Sequence, residues 1–160
     1  MDFVKRKPTR LYNYDYSNAG AYFITICTKN KKALLSKIVG EGLCALPKTE
    51  LTSIGTKVHS AIEYICSHYE NVNVDNYVIM PNHIHLLIRM DNMSGGHRDP
   101  PLQDIIARFK SFTTTQYGKT LWQRSFYDHI IRNETDYYTH FEYIQNNPAK
   151  WAEDELYPKN

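Results

Sequence analysis

The chain has 160 residues, 42% of them hydrophobic and 22% charged, which is long enough for one folded unit with a real core. A net charge of +2 permits an acidic partner such as nucleic acid but does not demand one. No stretch approaches 18 apolar residues, which excludes a membrane-spanning helix, and no apolar run follows the basic N-terminus, so no signal peptide is expected.

Cys27, Cys44 and Cys66 are odd in number and widely spaced, without a CxxC pair. That argues against a disulfide framework or a cysteine zinc site and favours a reducing cytoplasm. The unit is expected to span residues 1–160, with residues 1–18 a basic, tyrosine-rich arm carrying Lys5, Arg6, Lys7 and Arg10.

Ala21 to Thr28 (AYFITICT) is β-branched and aromatic and predicts a buried strand, closed by the charged turn Lys29 to Lys32. Leu34–Val39 and Leu43–Leu46 flank Gly40-Glu41-Gly42, predicting a short hairpin or an irregular excursion. Leu51, Ile54, Val58, Ala61, Ile62, Ile65 and Tyr69 recur at helical spacing. Two strand-like runs, Asn73 to Met80 and His83 to Met90, are separated by the break Pro81-Asn82. Asp91 to Pro101 has loop composition. Leu102, Ile105, Ile106, Phe109 and Phe112 mark a second helix, flanked by Arg108 and Lys110. Phe126 to Arg132 predicts a strand, and a last helix runs from about Thr135 to Asn146, stopped by Pro148. The order strand, helix, hairpin, helix, strand, helix is an α+β pattern built on a mainly antiparallel sheet with flanking helices.

Two places carry chemistry. In His83-Ile84-His85-Leu86-Leu87-Ile88, alternation puts Ile84, Leu86, Ile88 and Met90 on an apolar face and His83 and His85 together on the other. Side by side on a rigid strand, about 6.6 Å apart along it, two neutral imidazoles can converge on one divalent ion. The same pattern also fits two unrelated surface histidines on the outer face of a sheet. The patterns of the histidine-triad hydrolases, the two-motif phosphoesterases and the His-Glu-x-x-His zincins are all absent. On the last helix, Tyr137, Phe141 and Ile144 form the expected core stripe. Tyr143 falls roughly 125° from it, beside Thr139, His140 and Asn147, and so suits a polar site, while Tyr138 lies on the opposite flank. Pro148 is expected to push Asn147 out of helical geometry. A phenol with pKa near 10 is a weak nucleophile by itself, and a nearby divalent ion would assist it.

Tyr77-Val78-Ile79-Met80-Pro81-Asn82-His83-Ile84-His85-Leu86-Leu87 resembles the His-hydrophobe-His motif of the single-tyrosine HUH transposases. Trp122-Gln123-Arg124-Ser125-Phe126-Tyr127-Asp128-His129-Ile130-Ile131-Arg132, followed by Tyr143-Ile144-Gln145-Asn146-Asn147-Pro148, is similar to their REP-associated tyrosine transposase branch, and the match runs from about Tyr22 to Trp151. The resemblance implies an RRM/ferredoxin-like HUH nuclease fold with the histidines on a central strand and a nucleophilic tyrosine on a following helix. It implies Mg²⁺ or Mn²⁺ held by His83 and His85, with Asn147 where insertion-sequence relatives have Gln as third ligand. Tyr143 would attack single-stranded DNA, leaving a 5′-phosphotyrosine and a free 3′-OH, on a substrate of hairpins with flanking single strands. A catalytically inactive or host-recruited DNA-binding regulator of repeat elements is the alternative. The expected setting is cytoplasmic and nucleoid-associated, as a monomer or homodimer.

Arg108, Lys110, Arg124 and Arg132 are candidate phosphate contacts, or solvated surface. Trp122, Phe126 and Tyr127 interleave with Arg124 in a composition suited to stacking unpaired bases, or to packing at a sheet edge. His129 reads as a paired core histidine.

Overall fold

Strand and helix alternate along the computed structural model, which describes residues 19–40, 45–92 and 99–158. The basic arm 1–18, residues 41–44 and Cys44 among them, and residues 93–98 of the expected loop lie outside the described residues. The elements are β1 (Gly20–Cys27), β2 (Ser36–Val39), β3 (Lys48–Leu51), α1 (Ser53–His68), β4 (Val72–Ile79), β5 (His83–Met90), α2 (Leu102–Tyr117), β6 (Tyr127–Ile131) and α3 (Glu134–Asn146), followed by a 3-10 turn, Pro148–Glu153. No described helix is long and apolar enough to cross a membrane.

Four strands form an antiparallel sheet in the order β4-β5-β1-β6. The histidine strand β5 is therefore interior, paired on both sides. Ile84, Leu86, Ile88 and Met90 of β5 join Tyr22, Ile24 and Ile26 of β1 in a core completed by α1 and α2. The other face holds a smaller core of Phe23, Val78, Met80, Leu87 and Ile144, against which Tyr137 and Phe141 pack. The α+β expectation and the central position of β5 both hold, and α3 with the 3-10 turn after it covers the face carrying His83 and His85.

Local chemistry sets several boundaries. The short hairpin pairs β2 with β3, Lys48–Leu51, while Leu43 and Cys44 of the expected second run lie outside the described residues. Leu51 thus ends a strand instead of opening the helix, because Thr52 caps α1, accepting from the Gly55 amide at 3.1 Å. On α2 the periodic reading extended one residue too far. Phe112 is 53% exposed, and the neighbouring Thr113 turns inward, its hydroxyl accepting from the Trp122 indole N–H at 2.7 Å.

The docking of α3 rests on an irregularity in β4. A register shift between Val74 and Asn76 frees Asp75 from the ladder. Its carboxylate accepts from the Tyr137 hydroxyl at 2.8 Å and from Arg89 Nε at 3.1 Å. Next to it, Asn76 Nδ2 donates to the Phe141 carbonyl at 3.1 Å. Two polar ties and the buried Ile144 therefore fix how α3 lies on the sheet.

Where α1 crosses the Leu34–Leu35 backbone there is room for glycine alone. A Cβ at Gly55 would run into the Leu35 carbonyl oxygen, which is backbone and cannot swing aside. Gly55→Ala is expected to lower stability by about 1–3 kcal/mol, the usual cost of overpacking, despite alanine's better helix propensity. Chemical denaturation reads this, and an alanine variant as stable as the parent would contradict it.

Candidate metal centre and tyrosine cleft

His83 and His85 are 0% and 3% exposed, so the reading as unrelated surface histidines fails. Their Nε2 atoms lie 3.1 Å apart, with the ring planes at 69°. The proton positions follow from the neighbours. Asn82 Nδ2 donates to the Leu156 carbonyl at 2.8 Å and faces the Lys31 carbonyl at 3.3 Å, which fixes the amide orientation. Asn82 Oδ1 then accepts from His83 Nδ1 at 2.8 Å. Because that oxygen can only accept, Nδ1 carries the proton and His83 Nε2 carries a lone pair. Thr25 Oγ1 lies 2.8 Å from His85 Nδ1, and when the hydroxyl accepts from Nδ1–H, His85 Nε2 carries a second lone pair.

Burial is the largest influence on both rings. It depresses the His83 pKa to about 4, against the opposing pull of the Asp154 carboxylate. His85 is driven well below its ordinary value by burial first, then by His83 and His140. Both imidazoles are neutral at pH 7, the state that binds a metal.

The sequence pattern did not single out Asp154. Its side chain is 4% exposed, and Oδ2 lies 3.8 Å from His83 Nε2. The ligand atoms of His83, His85 and Asp154 all fall within 4.8 Å of one another. Asp154 stands just beyond the 3-10 turn, in a segment without hydrophobic periodicity, so only the folded chain reveals it. Asn147, the expected third ligand, is also buried at 2% exposure. Its Nδ2 donates to Asp154 Oδ2 at 3.3 Å, while its Oδ1 has no hydrogen-bond partner. Pro148 does not displace it: Asn147 keeps φ −59° and ψ −42°, because proline is tolerated as first residue of the turn that follows. Two imidazole lone pairs, a buried carboxylate and an unpartnered amide oxygen form a donor set that fits a divalent cation.

Tyr143 stands at the edge of this group, its ring 5.3 Å from His85 and 5.9 Å from Phe23. It is 45% exposed and lines a cleft of about 700 Å³, together with Thr25, Cys27, His85, His140 and Asp154. Burial raises its pKa, Asp154 adds to the rise, the Asn147 amide offsets part of it, and Glu155 adds a little more. Tyr138 lines a separate hollow with Glu134 and Glu142, away from the histidines.

The expected DNA contacts are not gathered in one place. Arg108 is exposed on α2, in the layer opposite the histidines. Lys110 Nζ donates to the Gln123 and Arg124 carbonyls at 2.6 and 3.0 Å, which ties down the segment leading into β6. Arg124 is exposed between Gln123 and Ser125, which both line the cleft, and Arg132 is exposed at the end of β6. Trp122 is 4% exposed and Phe126 8%, both in the larger core, though Phe126 also reaches the cleft. His129 is paired as expected, donating to Asp136 at 2.9 Å, but it is partly exposed and stacks on His140. Asp136 also accepts from the Arg132 amide at 3.0 Å, beside the Asn133 cap of α3.

An antiparallel sheet with a paired-imidazole strand under a tyrosine-bearing helix is the fold that the resemblance to the single-tyrosine transposases led one to expect. No family model matches the chain. An uncharacterized protein of Haemophilus influenzae is 36% identical, covering 95% of this chain and 93% of its own length. A REP-associated tyrosine transposase of Escherichia coli is 26% identical over 87% of this chain and 72% of its own. A solved REP-associated tyrosine transposase bound to a REP hairpin superposes with a TM-score of 0.63 at 24% identity, covering 89% of this chain and 72% of that one. The chain is thus similar along most of its length to REP-associated tyrosine transposases and shares their fold.

The depressed imidazoles give a pH dependence of definite sign. The unfolded chain takes up protons at His83 and His85 below about pH 6.5, and the folded chain resists until His83 reaches about pH 4. Stability of the metal-free protein should therefore be full above pH 6.5 and fall as pH drops towards 4, by about 3 kcal/mol for His83 alone. Urea unfolding in EDTA across that range checks this. A His83→Gln, His85→Gln variant should show a flatter profile, and an unchanged slope would contradict the assignment.

Proposed function

We propose that the chain cleaves and rejoins single-stranded DNA beside a hairpin, using Tyr143 as nucleophile and a divalent ion, Mg²⁺ or Mn²⁺. The ion is held by His83, His85 and Asp154, with Asn147 Oδ1 as a further donor. The observation that carries this is the juxtaposition of the lone-pair-bearing Nε2 atoms with a buried carboxylate and with the ring of Tyr143 at the cleft wall. Similarity to the REP-associated tyrosine transposases supports it, as does the hairpin DNA bound by the solved structure it resembles.

A divalent ion bound there would polarise the scissile phosphate and offset the charge developing on it. The residues do the rest. Asn82 holds His83 in the tautomer that leaves Nε2 free, and the Thr25 hydroxyl can accept from His85 Nδ1 so that its Nε2 is free as well. Docking of α3 through Asp75 and Ile144 sets the reach of Tyr143. In the forward step Tyr143 Oη bonds to phosphorus while its proton leaves to solvent through the open cleft. The bond from phosphorus to the 3′-oxygen breaks, and that oxygen takes up a proton to become a free 3′-OH. The 5′-phosphotyrosine conserves the bond energy, so attack by a 3′-OH reseals the strand without ATP. A raised phenol pKa keeps Tyr143 protonated at rest, which is why cationic assistance is needed.

Two measurements test this. With a labelled hairpin oligonucleotide carrying single-stranded flanks and Mg²⁺ or Mn²⁺, a covalent adduct is expected that Tyr143→Phe abolishes and Tyr138→Phe retains. An adduct surviving in Tyr143→Phe would mean that another residue is the nucleophile. Separately, Mn²⁺ titration calorimetry should show Asp154→Asn binding at least about tenfold more weakly, since even outer partners of metal ligands cost about 10–100-fold. Unchanged affinity would remove Asp154 from the site.

A further inference from the structure

Between Tyr143 and the β6 edge the cleft continues beyond the histidines, and its lining has an unusual balance. Among the described residues it includes the Glu155 carboxylate, next to Asp154 of the metal centre, and no lysine or arginine. A phosphate placed in that part would meet like charge, whereas a neutral nucleobase would not. The surface on offer is aromatic. Among the described residues, the exposed large aromatics that line the cleft are Tyr143 and Tyr127.

Tyr127 is 54% exposed, although it opens a strand of the main sheet. Its register partner is Thr25, and the register partner of Thr25 is His85. Paired residues in an antiparallel ladder project from the same face, so Tyr127, Thr25 and His85 form one row on the side of the metal centre. Two strand spacings separate Tyr127 from His85, about 10 Å, the reach of one nucleotide from its phosphate to its base plane or the next. Phe126 gives the cleft an apolar floor, and Gln123 and Ser125 bring an amide and a hydroxyl to the same wall. Lys110 holds that wall in place through the Gln123 and Arg124 carbonyls.

From these features we infer that the cleft holds one unpaired nucleobase of the strand being cut, stacked on Tyr127, with its edge offered to Gln123 and Ser125. Tyr127 is then a positioning residue. It sets which phosphodiester lies over the histidines by gripping the neighbouring base, while the sugar-phosphate backbone stays outside the acidic cleft near Arg124. The volume of about 700 Å³ is within the range of pockets that enclose small ligands. This inference rests on the reading of the site as DNA-cleaving, and its test is separable because it needs neither metal nor cleavage.

The experiment uses the full chain in EDTA with a hairpin oligonucleotide whose single-stranded flank carries 2-aminopurine at one position at a time. One position should be quenched on binding to the wild type and to Tyr127→Phe or Tyr127→Trp, and lose that quenching in Tyr127→Ala. Affinity in Tyr127→Ala should fall about 5- to 150-fold, the range for one base-aromatic stack. Thermal unfolding of Tyr127→Ala should match the wild type, since the ring is mostly exposed. Retained quenching in Tyr127→Ala overturns the inference, as does a complex in which no flank position is quenched. If the Tyr143 adduct forms normally while the quench ignores Tyr127, only the base site is wrong. If no complex forms at all, both readings fall.

Discussion

Everything at the functional end of this molecule depends on two neutral imidazoles facing each other at 3.1 Å inside a dry layer. Burial keeps them uncharged, and the Asn82 amide orients His83 by accepting its Nδ1 proton. That same amide donates to the Leu156 carbonyl beyond the 3-10 turn, so one side chain both orients the histidine and anchors the segment that delivers Asp154. The buried carboxylate, the unpartnered Asn147 oxygen and the two lone pairs are individually costly. Grouped around a cation they cease to be.

The second requirement is a helix that cannot slide. A single turn of error would carry Tyr143 about 5 Å along the face. The extra residue in β4 turns Asp75 toward α3, and the Tyr137 hydroxyl bonds it there. Asn76 takes hold of the Phe141 carbonyl half-way along, and Ile144 fills the small core beneath. At the helix start, Asn133 and Asp136 satisfy free amides, and Asp136 also draws His129 of β6 to the helix. The sheet thereby grips α3 at its start, middle and end, which is how a residue nearly half exposed can still be held against His85.

Much of this architecture was legible because it repeats. Alternation in β5 put the histidines on one face, and the helical period put Tyr143 off the stripe of Tyr137, Phe141 and Ile144. What repetition does not encode was missed. Asp154 follows an irregular turn and belongs to no stripe. Composition left Trp122 and Phe126 open between stacking on bases and packing, and the structure packs both: the Thr113 hydroxyl satisfies the indole N–H and allows Trp122 to be buried, and Phe126 joins the same core. Lys110 looked like a phosphate contact, yet two backbone carbonyls receive its ammonium. In each case the deciding partner is remote in sequence or belongs to the backbone. The pairing of β2 with Lys48–Leu51 was not legible for a related reason, since nothing in the local pattern of that segment marks its partner.

Charge distribution gives the site its direction. The chain is positive overall, but none of the lysines or arginines among the described residues lines the cleft, where Asp154 and Glu155 stand beside a tyrosine whose pKa is raised. A cleft of that sign repels an anionic polymer unless positive charge is added at one defined point. The donor atoms of His83, His85 and Asp154 mark that point, at the inner end. Arg124, on the rim, offers a positive charge outside it. On the proposed reading, a nucleic acid backbone would be drawn to the rim and tolerated inside only where a bound cation neutralised it, which would limit close approach to one phosphate. Selection of a single phosphodiester would then follow from the placement of negative charge, with the aromatic wall deciding which one arrives.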